Sequence, residues 1–353
     1  MPSRRPSAIA RLLAPLLACA VALACAACGS AGHTSSVGRA ALTTPATTTP
    51  TTDAATTTAA STTAPALPGT GKPAVVIGDK NFTEQFVLGE LYDLALQADG
   101  FSVSLNRNIG PTAVTIQALS SGTLAMYPEY LQIWNYDVAG YRHPFGSTRS
   151  AYRAARRYAL AHGLQLLNPT PFSDTDGIAV TAAYAAANHL RSIADLSRVA
   201  QTLTIGGPPQ FQQDPGGLPA LQQAYGLAAA AFKPLAIGDQ YPALDQGTVQ
   251  AADVQSTDGQ LAIGDYVLLT DPSNVFGGGN AEFAWGHVVP VVSAKVLAQE
   301  GPAFAATINK VSALLTTPTI RELNMLVDVA GEDPGTVAKQ FLEDHGVLSA
   351  SQP

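Results

Sequence analysis

The chain predicts an α/β protein of two lobes. From about residue 74, short runs of buried-strand character alternate with helical periodicity, and the alternation starts again after residue 177. Roughly the first 70 of the 353 residues differ in composition from the rest, which leaves about 280 residues, enough for two lobes of ordinary size.

Residues 74–78, Ala-Val-Val-Ile-Gly, read as a buried strand. Asn81 followed by Glu84 has capping-box spacing, so a helix is predicted to start there with Asn81 as its N-cap. Val87, Leu88, Leu91, Leu94, Ala95 and Ala98 form its apolar face, and Gly100 ends it. Strand 101–105, helix 112–119 and strand 124–127 complete the pattern expected of βαβ units around a parallel sheet. The second stretch offers strands at 178–181, 203–206, 234–237, 251–254 and 266–270, with helices near 193–199, 218–225 and 241–246. After a strand at 288–292 the pattern is helical: Ser293 caps one start, Pro302 opens a second helix, and Pro318 and Pro334 mark later breaks. Two sheets with the chain returning at its end would place a ligand cleft between the lobes, at the carboxyl ends of strands.

Arg4, Arg5 and Arg11 precede an apolar run over residues 12–27 and then Cys28-Gly29-Ser30. A basic start, a short apolar core and small residues before a cut describe an export signal. The run is shorter than the ~20 apolar residues a membrane span needs. With Ala26-Ala27 before it and a polar stretch behind, Cys28 resembles the lipid-accepting cysteine of bacterial lipoproteins. Cys25 stands where leucine is usual, and Cys25 and Cys19 are rival acceptors. The other reading is an ordinary cleaved signal with incidental cysteines. Residues 29–72 are Thr, Ala, Pro and Ser with few large apolar side chains, a composition that burial cannot order and that predicts a tether.

All three cysteines fall in the first 28 residues, so the body has no disulfide framework and no thiolate for catalysis or metal binding. A net charge of −7, with no Lys/Arg block beyond the N-terminus, argues against nucleic acid as a partner. No Gly-x-Ser-x-Gly, Ser-x-x-Lys or His-Glu-x-x-His pattern occurs, and the six histidines are scattered. Asp253 and Asp258 are paired carboxylates, but nothing nominates a reaction for them. The expectation is therefore no enzyme, no catalytic residue, no metal and no cofactor.

Four segments occur in the order and spacing of one family: Gly78-Asp-Lys-Asn-Phe-Thr-Glu-Gln85, Tyr127-Pro-Glu-Tyr130, Asp174-Thr-Asp-Gly177 and Asp253-Val-Gln-Ser-Thr-Asp-Gly259. The chain resembles the glycine betaine/choline/carnitine substrate-binding proteins of osmoprotectant ABC importers, from about residue 75 to residue 348. The resemblance implies a type II periplasmic-binding fold, two α/β lobes joined by two hinge crossings around a cleft. The implied organisation is a lipoprotein signal over 1–28, a tether over 29–72, one lobe from 73–176 plus 288–353, and the other from 177–287.

That family holds a trimethylammonium group in a box of tyrosines by cation–π attraction and grips a carboxylate with a lysine, an arginine and a threonine. Lys80 matches the lysine, Tyr130 one cage tyrosine and Asp174 an aspartate near the ammonium. Asp176 and Gln255 stand where cage tyrosines are expected, Asp214 where the arginine is expected, and Leu131-Gln-Ile133 where the threonine lies. Losing two rings, each worth ~0.5–2 kcal/mol, weakens betaine binding by roughly one to three powers of ten. The pattern resembles a divergent osmoregulated branch lacking most of the aromatic cage.

The candidate ligand contacts are Lys80, Asn81, Tyr127, Tyr130, Asp174, Asp176, Asp214, Gln255 and Trp285, with Cys28 as the lipid site. Each has a structural alternative: Lys80 as a solvated surface lysine, the tyrosines as core, Asp-Thr-Asp-Gly as turn chemistry. Clustered carboxylates would attract a cation by direct charge. The functional expectation is a monomeric solute-binding lipoprotein on the outer face of the cell membrane, working with an ABC permease and ATPase. It would capture a quaternary-ammonium or osmoprotectant-type solute by hinge closure. The alternatives are a solute-sensing receptor, a binding protein for an aromatic, amino acid or polyamine, or an enzyme on this fold.

Overall fold

The computed structural model describes residues 66–141, 143, 145–214, 216–276 and 286–349. The predicted signal, its cysteines, most of the tether and Trp285 lie outside the described residues. Residues 67–72 already form a turn, with the Gly69 N–H donating to the Asp99 carbonyl and the Lys72 ammonium to the Gln299 carbonyl. Residues 69 and 72, placed in the tether by the sequence, are thus bonded to the body.

The strands are β1 (Val75–Gly78), β2 (Val103–Asn106), β3 (Met126–Tyr130), β4 (Leu164–Leu166), β5 (Asp176–Thr181), β6 (Thr204–Gly207), β7 (Ala231–Pro234), β8 (Ala251–Gln255), β9 (Tyr266–Leu268) and β10 (Val288–Ser293). They make two five-stranded sheets, ordered β2-β1-β3-β10-β4 and β7-β6-β8-β5-β9. The helices are α1 (Thr83–Ala98), α2 (Thr112–Ser121), α3 (Leu131–Ile133, continued by the π turn Trp134–Val138), α4 (Thr148–Ala161), α5 (Ala182–Asn188), α6 (Leu218–Tyr225), α7 (Gln240–Asp245), α8 (Ala294–Glu300), α9 (Pro302–Leu314), α10 (Thr317–Asp328) and α11 (Pro334–Asp344). No helix of the described residues is long and apolar enough to cross a membrane.

Neither sheet is wholly parallel, contrary to the simple βαβ expectation. β1 runs parallel to β2 and β3, but β10 is antiparallel to β3 and β4; likewise β5 is antiparallel to β8 and β9. The reversed strands β5 and β10 are those that arrive directly from the other lobe, so they enter their sheets from the cleft side. β7 pairs Ala231 with Thr204 through Pro234 with Gly207, earlier than the predicted strand 234–237; Ile237 is left 80% exposed.

Each sheet is buried on both faces. In the first lobe Ile77, Leu88, Leu91, Phe304 and Ile308 belong to one core, between the sheet and helices α1 and α9, while Tyr127, Leu131, Trp134, Ala155 and Val289 belong to another. Full burial of such a Leu or Ile side chain contributes about 1.5–3 kcal/mol each, which fixes the strand ends that carry the site. In the second lobe Ile178, Val180 and Ile205 share one core and Ala179, Ala252 and Val254 the other, so β5 and β8 are apolar on both sides until their cleft ends.

Two crossings join the lobes, and they touch. The Asp174 N–H donates to the Gly286 carbonyl at 3.0 Å, Ser173 bridges His287, and His287 Nδ1 lies 2.8 Å from the Thr170 and Phe172 carbonyls. Only glycine fits at 286, because a Cβ there would sit 1.5 Å from the Asp174 carbonyl oxygen. A third contact runs through α10: Asn324 Nδ2 donates to the Thr257 carbonyl at 2.9 Å and Arg321 Nε to the Ser256 carbonyl at 2.7 Å. Gly259 lies so close that a Cβ would be 2.5 Å from the Met325 nitrogen.

Candidate functional site

The first lobe contributes the loop after β1 and the end of β3. Lys80 is buried, and its Nζ donates to Glu129 Oε1 at 2.7 Å. Glu129 has no exposed surface and accepts from the Tyr130 N–H at 2.8 Å, Thr112 Oγ1 at 3.0 Å and the Tyr127 hydroxyl at 3.3 Å. The lysine expected to grip a ligand carboxylate is therefore already neutralised by its own lobe. The Tyr127 ring is wholly buried in the core, so its part in the site is to hold Glu129.

Asn81 does not cap α1. The N-cap is Phe82, in extended backbone with φ −152° and no side-chain hydrogen bond, and Asn81 is exposed beside it. The physical reason is that Glu84, the other half of the expected box, turns inward. It accepts from the Tyr130 hydroxyl at 2.6 Å and from Asn324 Nδ2 at 3.1 Å. Gln85 serves the backbone instead, with Oε1 accepting from the Lys80 N–H at 3.3 Å. Tyr130 is only 6% exposed: Phe82 stacks on it with ring centroids 6.0 Å apart, and the Lys80 ammonium lies 5.3 Å from its centroid.

The second wall comes from the crossing and the cleft ends of β5 and β8. Asp176 pairs in register with Gln255, whose Nε2 donates to Asp176 Oδ1 at 2.7 Å. Asp253 lies one same-face position back on β8, 5% exposed, with Oδ1 unpartnered. Asp258 accepts from the Tyr241 hydroxyl at 2.9 Å and the Gln255 N–H at 3.1 Å. Asp214 is exposed and accepts from the Gly216 N–H at 2.9 Å, and its charge reaches Asp176. Asp174, on the crossing, also keeps Oδ1 unpartnered.

These carboxyls feel one another. Burial, with the Glu84 charge second, pushes Asp174 well above the usual carboxylate range. Burial raises Glu84, against the hydrogen bond from Tyr130, and Asp258 adds to the rise. Burial pushes Asp253 up to about 9, helped by Asp176 and Asp258, and Asp258 up to about 6. Asp176 is likewise raised, chiefly by the protein around it. Arg321, half-buried, faces Asp258 and Asp174; burial lowers its pKa while those charges raise it. Desolvation therefore dominates throughout, and a cation arriving between the walls would favour the ionised forms. Among the described residues no group of His, Cys, Asp and Glu is arranged to hold a metal ion.

The structure thus brings Tyr130, Asp174, Asp176 and Gln255 to one region, with Asp214 at its edge. The sequence reading passed over Glu84, Glu129, Arg321 and Asn324. Glu84 and Glu129 stood inside motifs already quoted, whereas nothing local marked Arg321 and Asn324. A groove of about 650 Å³ adjoins the site on the first lobe, lined by residues including Lys80, Phe82, Thr112, Ile133 and Tyr158.

Residues 73–344 match the substrate-binding domain of ABC-type glycine betaine transport systems. The chain belongs to this family. It is 30% identical over 292 residues to the glycine-betaine-binding protein of Pseudomonas aeruginosa, covering 78% of this chain and 89% of that one. It is 30% identical over 298 residues to the glycine betaine-binding protein YehZ of Escherichia coli, covering 80% and 93%. The solved structure of apo YehZ superposes with a TM-score of 0.64 at 29% identity, over 78% of this chain and 99% of that one. The two sheets with their double crossing are a type II periplasmic-binding fold, and the protein is a substrate-binding component of ABC transport.

Proposed function

We propose that this protein is the lipid-anchored, extracytoplasmic solute-binding subunit of an ABC importer for a small ammonium-type solute. The observation that carries the proposal is the set of carboxyls split between the walls: Glu84 on one lobe, Asp174 on the crossing, and Asp176, Asp253 and Asp258 on the other. A cation seated among them interacts with both lobes at once, and only a ligand with that differential affinity stabilises a closed form. The lobes, 73–176 plus 288–353 and 177–287, would turn about the paired crossings, and the closed form would dock on a permease coupled to an ATPase. Cys28 would carry the lipid and residues beyond it the tether, placing the body at the outer face of the membrane as a monomer.

Betaine-type zwitterions are the weaker candidates, because Lys80 is engaged by Glu129 and Asp214 replaces the arginine. Trp285 remains a candidate ring for the solute. Uptake of radiolabelled solutes by cells with and without the gene tests the assignment: loss of uptake of an ammonium compound, together with loss of membrane retention in Cys28→Ser, is expected. Unchanged uptake of every cationic and zwitterionic solute tried would refute it.

A further inference from the structure

We propose that the cleft selects organic cations carrying N–H donors, namely primary or secondary ammonium or guanidinium groups, over quaternary ammonium compounds of the same size. The inference rests on the cleft being the solute site and narrows the solute's chemistry.

Two buried carboxyl oxygens have no hydrogen-bond partner. Asp253 is 5% exposed and its Oδ1 has no hydrogen-bond partner; Asp174 Oδ1 is likewise buried and unpartnered. Buried polar atoms are nearly always satisfied, and leaving one bare is costly. Two donors close by are already engaged, Gln255 Nε2 with Asp176 and the Tyr241 hydroxyl with Asp258. A quaternary nitrogen has no N–H to give. Its methyl-shielded charge is held well by aromatic faces.

Those faces are scarce among the described residues of the site. Tyr130 is covered by Phe82 and Lys80 and its hydroxyl is bound to Glu84. Tyr241 is 7% exposed. Phe82, 40% exposed, remains as a ring at the mouth, suited to a methylene chain. Among the described residues of the site, acceptors outnumber open rings. Asp174, Asp176, Asp253, Asp258 and Glu84 interact with one another, and Arg321 is the cation set among them in the described residues. A metal ion fits poorly, since no three of these groups converge on one point among the described residues. A cation with several directional donors satisfies the separate oxygens; a sphere of methyl groups does not.

Matched probes test this by isothermal titration of the full chain in detergent: ethanolamine against choline, which differ only in N–H₃⁺ against N-trimethyl, with putrescine as a longer donor and glycine betaine as the zwitterion. One charge-assisted hydrogen bond made by ethanolamine and not by choline is worth about tenfold in affinity or more. The expected result is ethanolamine or putrescine binding at least about tenfold tighter than choline, with Asp253→Asn cutting that ratio to roughly threefold or less. Should Asp253→Asn not fold, Asp174→Asn is read in its place. Choline or betaine binding as tightly as the amines overturns the inference and leaves the solute-binding assignment standing. An undiminished ratio in a folded variant also overturns it. Absence of binding by every probe overturns both.

Discussion

Glu129→Gln is the sharpest perturbation of the first lobe's wall. The carboxylate is fully buried and the Lys80 side chain is 7% exposed, with 2.7 Å between the charged atoms. Glutamine keeps the shape, and its carbonyl oxygen can still accept from the Tyr130 N–H and Lys80. Its NH₂ would face Thr112 and Tyr127, whose hydroxyls can turn to accept. What is lost is the negative charge, which strands a buried ammonium. Breaking one side of a buried pair in this way destabilises by about 3–5 kcal/mol. Lys80→Met with Glu129 intact should destabilise less, because Glu129 still accepts from the Tyr130 N–H and the Thr112 and Tyr127 hydroxyls. The double variant should recover most of the loss, which requires a coupling of about 3 kcal/mol or more in a double-mutant cycle. Chemical denaturation followed by the fluorescence of buried Trp134 measures all four proteins. A Glu129→Gln protein within about 1 kcal/mol of the parent would show that Lys80 is not held by this pair.

Stability should also depend on pH through the second wall. Asp253 rises from 3.8 to about 9 on folding, so between those values the folded state keeps a proton that the unfolded state has released. Stability therefore falls as pH climbs across that window, by up to about 1.4 kcal/mol per pH unit for a single group. Asp253→Asn should flatten the profile measured at pH 5, 7 and 9; parallel profiles would sink the assignment. Gly286→Ala places a Cβ against the Asp174 carbonyl, so the crossings must separate, with a loss of about 1–3 kcal/mol and a lower Tm; an unchanged melt contradicts the tight crossing. Asn324→Ala removes the bridge from Glu84 to the Thr257 carbonyl and should destabilise by roughly 1–2 kcal/mol. If the variant melts with the parent, α10 is not a strut between the lobes.

Much of the fold was legible because its strands are short apolar runs and its helices end at Gly or begin at Pro. Helix α4 was legible in the sequence but was not read: its buried face, Ala151, Ala154, Ala155 and Ala159, has no large apolar residue, and its period is carried by Arg149, Arg153, Arg156 and Arg157 on the outside. The reversed direction of β5 and β10 was equally hidden, since pairing sense depends on where the chain has come from and not on composition. At the candidate site, motif position singled out Lys80, Tyr130 and Asp174 but not the residues they bond to. Glu129 and Glu84 are ordinary glutamates in sequence; only burial makes one the mate of a lysine and the other an acceptor for a tyrosine. Asn324, 240 positions from Glu84, reaches it only because α10 packs between the lobes.

Closure of the lobes on a solute is the most direct test. The body carries no cysteine, so with the three N-terminal cysteines replaced by serine, spin labels can be attached at Ala113→Cys and Gln212→Cys. Both positions are exposed, Ala113 in the first turn of α2, after β2, and Gln212 in the turn that follows β6 of the other lobe. Pulsed dipolar spectroscopy should report a shorter distance when a cationic solute, shown by titration to bind, saturates the protein. An unchanged distance with the solute bound would mean that it is held without the two lobes closing on it.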